Sequence, residues 1–111
     1  MHPDSESEIH SMNETRKRYG ISNGENMLLA VGRLAARKGH GLLLRAFSKV
    51  AESTNSHLVI IGRGSLKGRL NRMSATLGIS DRVTIESGMD FEKIAQMYRF
   101  SQLCVYPSYY E

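Results

Sequence analysis

HLVIIGRGSLKGRLNRMSATL, residues 57–77, carries a strand, a glycine turn and a helix in one unbroken run. Leu58 to Ile61 are continuously apolar, without the polar alternation of a half-exposed strand, so this strand is expected to be buried on both faces. Gly62 and Gly64 then break the run. Beyond them Leu66, Leu70, Met73 and Leu77 recur at intervals of four, three and four, the period of a helix with one buried stripe. Lys67, Arg69 and Arg72 fall on its outward side as a solvated face.

The same unit repeats in both directions along the chain. MLLAVG (27–32) reads as a buried strand, and GHGLLLRAFSKVAES (39–53) as a helix with Leu43, Ala46, Phe47 and Val50 on its predicted inner face. VTIES (83–87) is a third strand. Asp90 can cap the following helix, in which Phe91, Ile94, Ala95 and Tyr98 lie together. LCVYP (103–107) is a fourth strand, with Cys104 read as a small buried strand residue. Upstream, Ser5 with Glu8 and Ser11 with Glu14 match capping-box spacing, which predicts a short helix from about Ser11 to Arg18, ended by Gly20.

Continuous apolar strands alternating with amphipathic helices define an α/β chain: a Rossmann-like, doubly wound parallel sheet of about four strands with flanking helices. The usual order for such a half is 3-2-1-4, which places the topological switch point between the first and fourth strands. Residues 1–10 are expected to be a flexible N-terminal segment or linker, and 11–111 a partial domain. The pattern calls for a further helix after SYYE (108–111), so the chain reads as part of a longer protein, truncated at its C-terminal end.

Bulk properties narrow the function only a little. With 111 residues, 41% of them hydrophobic, the chain can build one modest soluble core. A formal charge of +4 suits an anionic ligand without requiring one, and it does not imply nucleic acid. The lone cysteine excludes an internal disulfide and a Cys-rich zinc site, which fits a cytoplasmic setting. No apolar run approaches the roughly 20 residues of a membrane span. MHPDSESE lacks the basic start and apolar middle of a signal peptide.

Two glycine-bearing turns compete for a ligand. Gly62, Gly64 and Gly68 form GxGxxxG, one residue longer than the simplest dinucleotide fingerprint, and Glu86 stands at a distance that suits a ribose-binding acid. Together they support an alternative reading as an NAD(P)-binding domain of an oxidoreductase. Tight turning and close helix-to-sheet packing explain the same glycines without a ligand. The other turn, in AVGRLAARKGH (30–40), follows the strand at the switch point. Gly32 lets the chain leave the strand, Arg33 and Lys38 bracket a short loop, and Gly39 opens a helix whose free N–H groups favour an anion. The order GxxxxGK[ST] of a P-loop is absent. His40 is read as a helix-start residue beside this loop. A nonenzymatic basic binding module is the third reading.

Taken together, VGRLAARKG (31–39), VIIGRGSLKGRL (59–70) and RVTIESGMDFEKIAQMYRFSQLCVYPSYYE (82–111) resemble the carboxyl-terminal, donor-binding domain of the group 1, family 4 glycosyltransferases. The resemblance covers about residues 12–111. It implies two Rossmann-like domains facing a cleft, with the amino-terminal, acceptor-binding domain missing here. It implies a nucleotide-diphosphate sugar as donor substrate, no separate cofactor, and transfer of a hexosyl group with retention of configuration. By the same resemblance Arg33 and Lys38 contact the donor diphosphate, and Glu111 contacts hydroxyls of the transferred sugar as the first of two glutamates separated by seven residues. The base would lie near the backbone of Ser87, Gly88 and Met89, with Gly62, Arg63 and Gly64 forming the adjoining wall, and Gly32 belongs to the same substrate-binding set. The catalytic set so implied is Arg33, Lys38 and Glu111.

The chemistry of such a transfer agrees with these residue types. Breaking the bond from sugar to diphosphate leaves negative charge on the departing phosphates, and fixed cations stabilise it. No Asp-x-Asp pair or histidine cluster is present to hold a divalent ion, so the transfer is expected to be metal-independent. The chain by itself is expected to catalyse no transfer, because catalysis needs both reactants in register. A parent enzyme acting on membrane lipids would sit peripherally on the inner face of the membrane.

Overall fold

The computed structural model describes residues 6–22, 24–32, 34, 39–88, 90–101 and 103–105. Four helices and four strands alternate as α1 (Glu6–Tyr19), β1 (Asn26–Val31), α2 (His40–Ala51), β2 (Ser56–Ile61), α3 (Lys67–Thr76), β3 (Val83–Glu86), α4 (Phe91–Phe100) and β4 (Leu103–Val105). The strands form one sheet in the order β3-β2-β1-β4, and every neighbouring pair is parallel. This is the doubly wound order expected from the alternation, with β1 and β4 adjacent at the switch point. β2 lies in the interior of the sheet, and all six of its residues are buried. Cys104 lies in β4 opposite Leu29 of β1.

Side chains alternate along each strand and so divide the core into two layers. Ala30, Leu58, Ile60 and Ile85 meet Leu44 and Phe47 of α2 and Leu70 of α3 on one face. Met27, Leu29, Val59 and Ile61 meet Met97 and Phe100 of α4 on the other, where Met12 and Tyr19 of α1 join them. Hydrogen bonds from Ser11 Oγ to Gln96 Oε1 and from Lys93 Nζ to Thr15 Oγ1 tie α1 to α4.

Three local expectations change. α1 begins at Glu6 rather than Ser11. α2 is rotated from its predicted face: His40, Leu44, Phe47 and Ala51 point inward, while Ala46 and Val50 are exposed. Leu42, Leu43 and Leu44 are consecutive, so any of them can start an apolar stripe, and packing against the sheet selects Leu44. α4 differs more. Its buried residues are Met97 and Phe100, with Ile94 beside them, whereas Phe91 is 88% exposed and Ala95 and Tyr98 also face outward. The predicted cap does form, with the Lys93 N–H donating to Asp90 Oδ1 at 2.8 Å.

Gly20 ends α1 as expected, in the left-handed region at φ 73°. The Ile21 N–H reaches back to the Arg16 carbonyl at 2.8 Å and the Gly20 N–H to that of Lys17 at 3.3 Å, the paired closure of a helix end that glycine permits. Arginines secure the amino-terminal edge of the sheet. Arg82 donates to the carbonyls of Ala51, Thr54 and Ser56, and Arg16 to those of Ser22 and Glu25. Five carbonyls around the starts of β1 and β2 thereby gain charged donors.

Candidate functional site

Parallel strands bring all their carboxyl ends to one edge, and there the loops after β1, β2 and β3 are laced together. The Gly32 N–H donates to the Ile61 carbonyl at 2.9 Å, and the Leu34 N–H to the Arg63 carbonyl at 2.8 Å. The Gly62 N–H donates to the Glu86 carbonyl at 2.9 Å. The strand ladder thus continues one or two residues past the strands, and three loop stems form one rigid rim.

Gly62 and Gly64 make that rim possible. A Cβ on Gly62 would overlap the Gly32 carbonyl oxygen, and one on Gly64 the Leu34 carbonyl oxygen. The glycines therefore serve the close approach of two loops, which is their ligand-free role. Their turn also lies one strand away from the β1/β4 switch point. Neither observation favours the oxidoreductase alternative.

Of the residues assigned from sequence, Gly32, Gly62, Arg63, Gly64, Ser87 and Gly88 lie together at this rim, with Arg63, Gly64, Ser87 and Gly88 exposed. Arg33, Lys38, Met89 and Glu111 lie outside the described residues. Gly39, at φ 77°, immediately precedes α2, and no side chain caps the helix there. His40 is its first residue and is 1% exposed, and neither ring nitrogen has a hydrogen-bond partner among the described residues. Burial holds its pKa below the ordinary 6.5, so the ring is neutral at pH 7.

A cavity of about 330 Å³ opens at the end of β3, lined by Arg18, Tyr19, Glu86, Ser87, Gly88 and Lys93 among others. The Tyr19 hydroxyl donates to Glu86 Oε2 at 2.9 Å. Burial, reinforced by the bond to the Glu86 carboxylate, pushes the Tyr19 pKa up to about 12, so the phenol remains a donor throughout the physiological range. Sequence reading did not assign Arg18, Tyr19 or Lys93 to any site. Tyr19 and Glu86 are 67 residues apart, and no local spacing announces their meeting. A larger groove of about 680 Å³ lies between the carboxyl ends of α2 and α3, bordered by Arg45, Lys49 and Arg82, at the other end of the strands. Among the described residues no group of three or more His, Cys, Asp or Glu side chains could hold a metal ion, and no helix is long and apolar enough to cross a membrane.

A parallel sheet of this order with helices on both faces is a Rossmann-like, doubly wound α/β domain. The chain belongs to the glycosyl transferases group 1 family, whose sequence model matches residues 11–111. It is 33% identical over 96 residues to an uncharacterized glycosyltransferase of Methanocaldococcus jannaschii, covering 86% of this chain and 25% of that protein. It is 35% identical over 99 residues to the alpha-D-kanosaminyltransferase of Streptomyces kanamyceticus, covering 88% and 25% respectively. Among solved structures, WaaG, a glycosyltransferase involved in lipopolysaccharide biosynthesis, superposes with a TM-score of 0.76 at 25% identity, over 100% of this chain and 28% of WaaG. The chain therefore spans about a quarter of the length of these relatives.

Proposed function

We propose that the carboxyl edge of this sheet binds the nucleoside diphosphate of a nucleotide-sugar donor, as part of a glycosyltransferase that moves a hexosyl group to an acceptor. The observation that supports this most is the laced rim of the β1, β2 and β3 loops beside the switch point, in a chain of the group 1 family. In this reading Arg33 and Lys38 meet the diphosphate, aided by the N-terminus of α2, and the loop at Ser87–Met89 meets the base. Glu111 meets the sugar. Fixed cations carry the developing phosphate charge, so the transfer needs no metal, and the configuration of the sugar is retained. The acceptor belongs to parts of the parent enzyme beyond this quarter of its relatives' length. An enzyme whose acceptor is a lipid would work from the cytoplasmic face of the membrane.

Calorimetric titration of the purified chain with UDP, GDP, ADP, NAD and NADP tests the reading. At least one nucleoside diphosphate is expected to bind more tightly than either dinucleotide. Tighter binding of NAD or NADP would transfer the site to the oxidoreductase class, and silence to all five would remove the nucleotide role.

A further inference from the structure

The cavity beside β3 contains a fixed carboxylate that the donor-binding reading leaves without a task. Glu86 is held from two sides. Its main-chain carbonyl accepts the Gly62 N–H, and its side chain accepts the Tyr19 hydroxyl. The two anchors come from different elements, so the carboxylate is oriented before any ligand arrives, which lowers the ordering cost of binding. A carboxylate has about four lone-pair sites. Tyr19 occupies one of them, and Glu86 lines the cavity together with Ser87 and Gly88.

The position suits a base. β3 lies two strands from β1, and two inter-strand spacings of about 4.8 Å put the carboxyl ends of the two strands about 10 Å apart. A ribose and one phosphate bridge such a gap. The Glu86 carboxylate offers acceptors only, and the bases differ in the donors they present to it.

We propose that Glu86, positioned by Tyr19, determines nucleobase specificity and selects guanine, so that the donor is a guanosine-diphosphate sugar; this deepens the donor-binding reading and rests on it. Guanine presents two adjacent N–H donors on its pairing edge, which match two carboxylate oxygens in parallel, the same fork geometry that makes guanidinium-carboxylate pairs strong. Adenine offers a donor beside an acceptor. Uracil offers one donor flanked by two carbonyls. Each of these places a lone pair against the carboxylate, and a site built to pair a ligand's N–H groups rejects a ligand that lacks them. Arg18 and Lys93 line the same cavity and supply cationic donors for a base carbonyl.

The test is calorimetric titration of the chain and of its Glu86→Gln and Tyr19→Phe variants with GDP, UDP and ADP, with thermal unfolding reporting the fold of each variant. GDP is expected to bind about ten- to a hundredfold more tightly than UDP or ADP, the scale of one or two charge-assisted hydrogen bonds. Glu86→Gln can still accept from Tyr19 but turns an amide N–H₂ toward the base, so it should weaken GDP and abolish the preference, while UDP and ADP, relieved of the lone-pair clash, bind at least as tightly as to the wild type. Tyr19→Phe should reduce the preference in part. A purely structural role would weaken all three ligands together, and that outcome overturns the proposal, as does a GDP preference that survives in Glu86→Gln. Equal wild-type affinity for the three diphosphates overturns the proposal while leaving the donor-binding reading intact, whereas no binding of any diphosphate overturns both. The wild-type ranking decides the matter even where a variant does not fold.

Discussion

His40 and His57 are buried imidazoles at opposite ends of the sheet, and each is 1% exposed. His57 keeps one partner, with Nε2 at 2.8 Å from Thr84 Oγ1, while its Nδ1 has none. Burial is the main cause that holds both pKa values below 6.5. At His57 the charges of Glu25 and Asp81 push the other way without prevailing, and Arg82 adds to the lowering. The unfolded chain accepts protons near 6.5 that the folded chain refuses. Stability is therefore full above 6.5 and declines as the pH falls below it toward the folded-state values. Melting temperatures measured across this range should drop in the wild type and drop less steeply in His40→Gln and in His57→Gln. Carboxylates titrate in all three proteins, so the difference in slope isolates the imidazoles, and identical slopes would refute the assignment.

The β1 and β2 loops touch backbone to backbone at Gly62 and Gly64, where an added methyl meets a carbonyl that is fixed in the rim. Flexible side chains could move aside; a strand-end carbonyl cannot do so without breaking the Gly32 and Leu34 hydrogen bonds. Gly62→Ala should therefore cost about 1–3 kcal/mol, the usual range for overpacking. For a domain of this size that corresponds to a fall in melting temperature of roughly 4–8 °C per kcal/mol. Thermal unfolding checks it, and a melting temperature equal to that of the wild type would mean that the loops are not in contact.

The same elements show where a sequence can and cannot be read. β2 was legible because Leu58 to Ile61 admit only a doubly buried strand, and Asp90 because its side chain caps three residues on regardless of what the helix packs against. The rotation of α4 was not legible. Phe91, Ala95 and Tyr98 form one apolar stripe and Met97 with Phe100 another, and periodicity cannot choose between two stripes when the sheet decides. The Tyr19–Glu86 bond was hidden for a different reason, since it joins α1 to β3 through tertiary packing alone. For the site, Gly62 and Gly64 were legible as close-approach glycines, while the cavity beside β3 depends on where α1 docks.

For the molecule as a whole, the parallel order β3-β2-β1-β4 brings all the strand carboxyl ends to one edge, where the proposed donor site lies. Crossovers of one hand place α2 and α3 on one face and α4 on the other, with the direction of winding reversing between β1 and β4, the position at which doubly wound sheets take their ligands. The sequence that follows β1 at this point carries Arg33 and Lys38. If the phosphate role is theirs, the two cations act on the diphosphate and not on the nucleoside. Calorimetric titration of the chain, Arg33→Ala and Lys38→Ala with the preferred nucleoside diphosphate and with its nucleoside measures this directly. Each charge-assisted contact is worth about 1.5–3 kcal/mol, so either variant should lose roughly ten- to a hundredfold in affinity for the diphosphate while affinity for the nucleoside and the melting temperature stay nearly unchanged. Equal losses for both ligands, or no loss for either, would contradict a diphosphate site on this edge of the sheet.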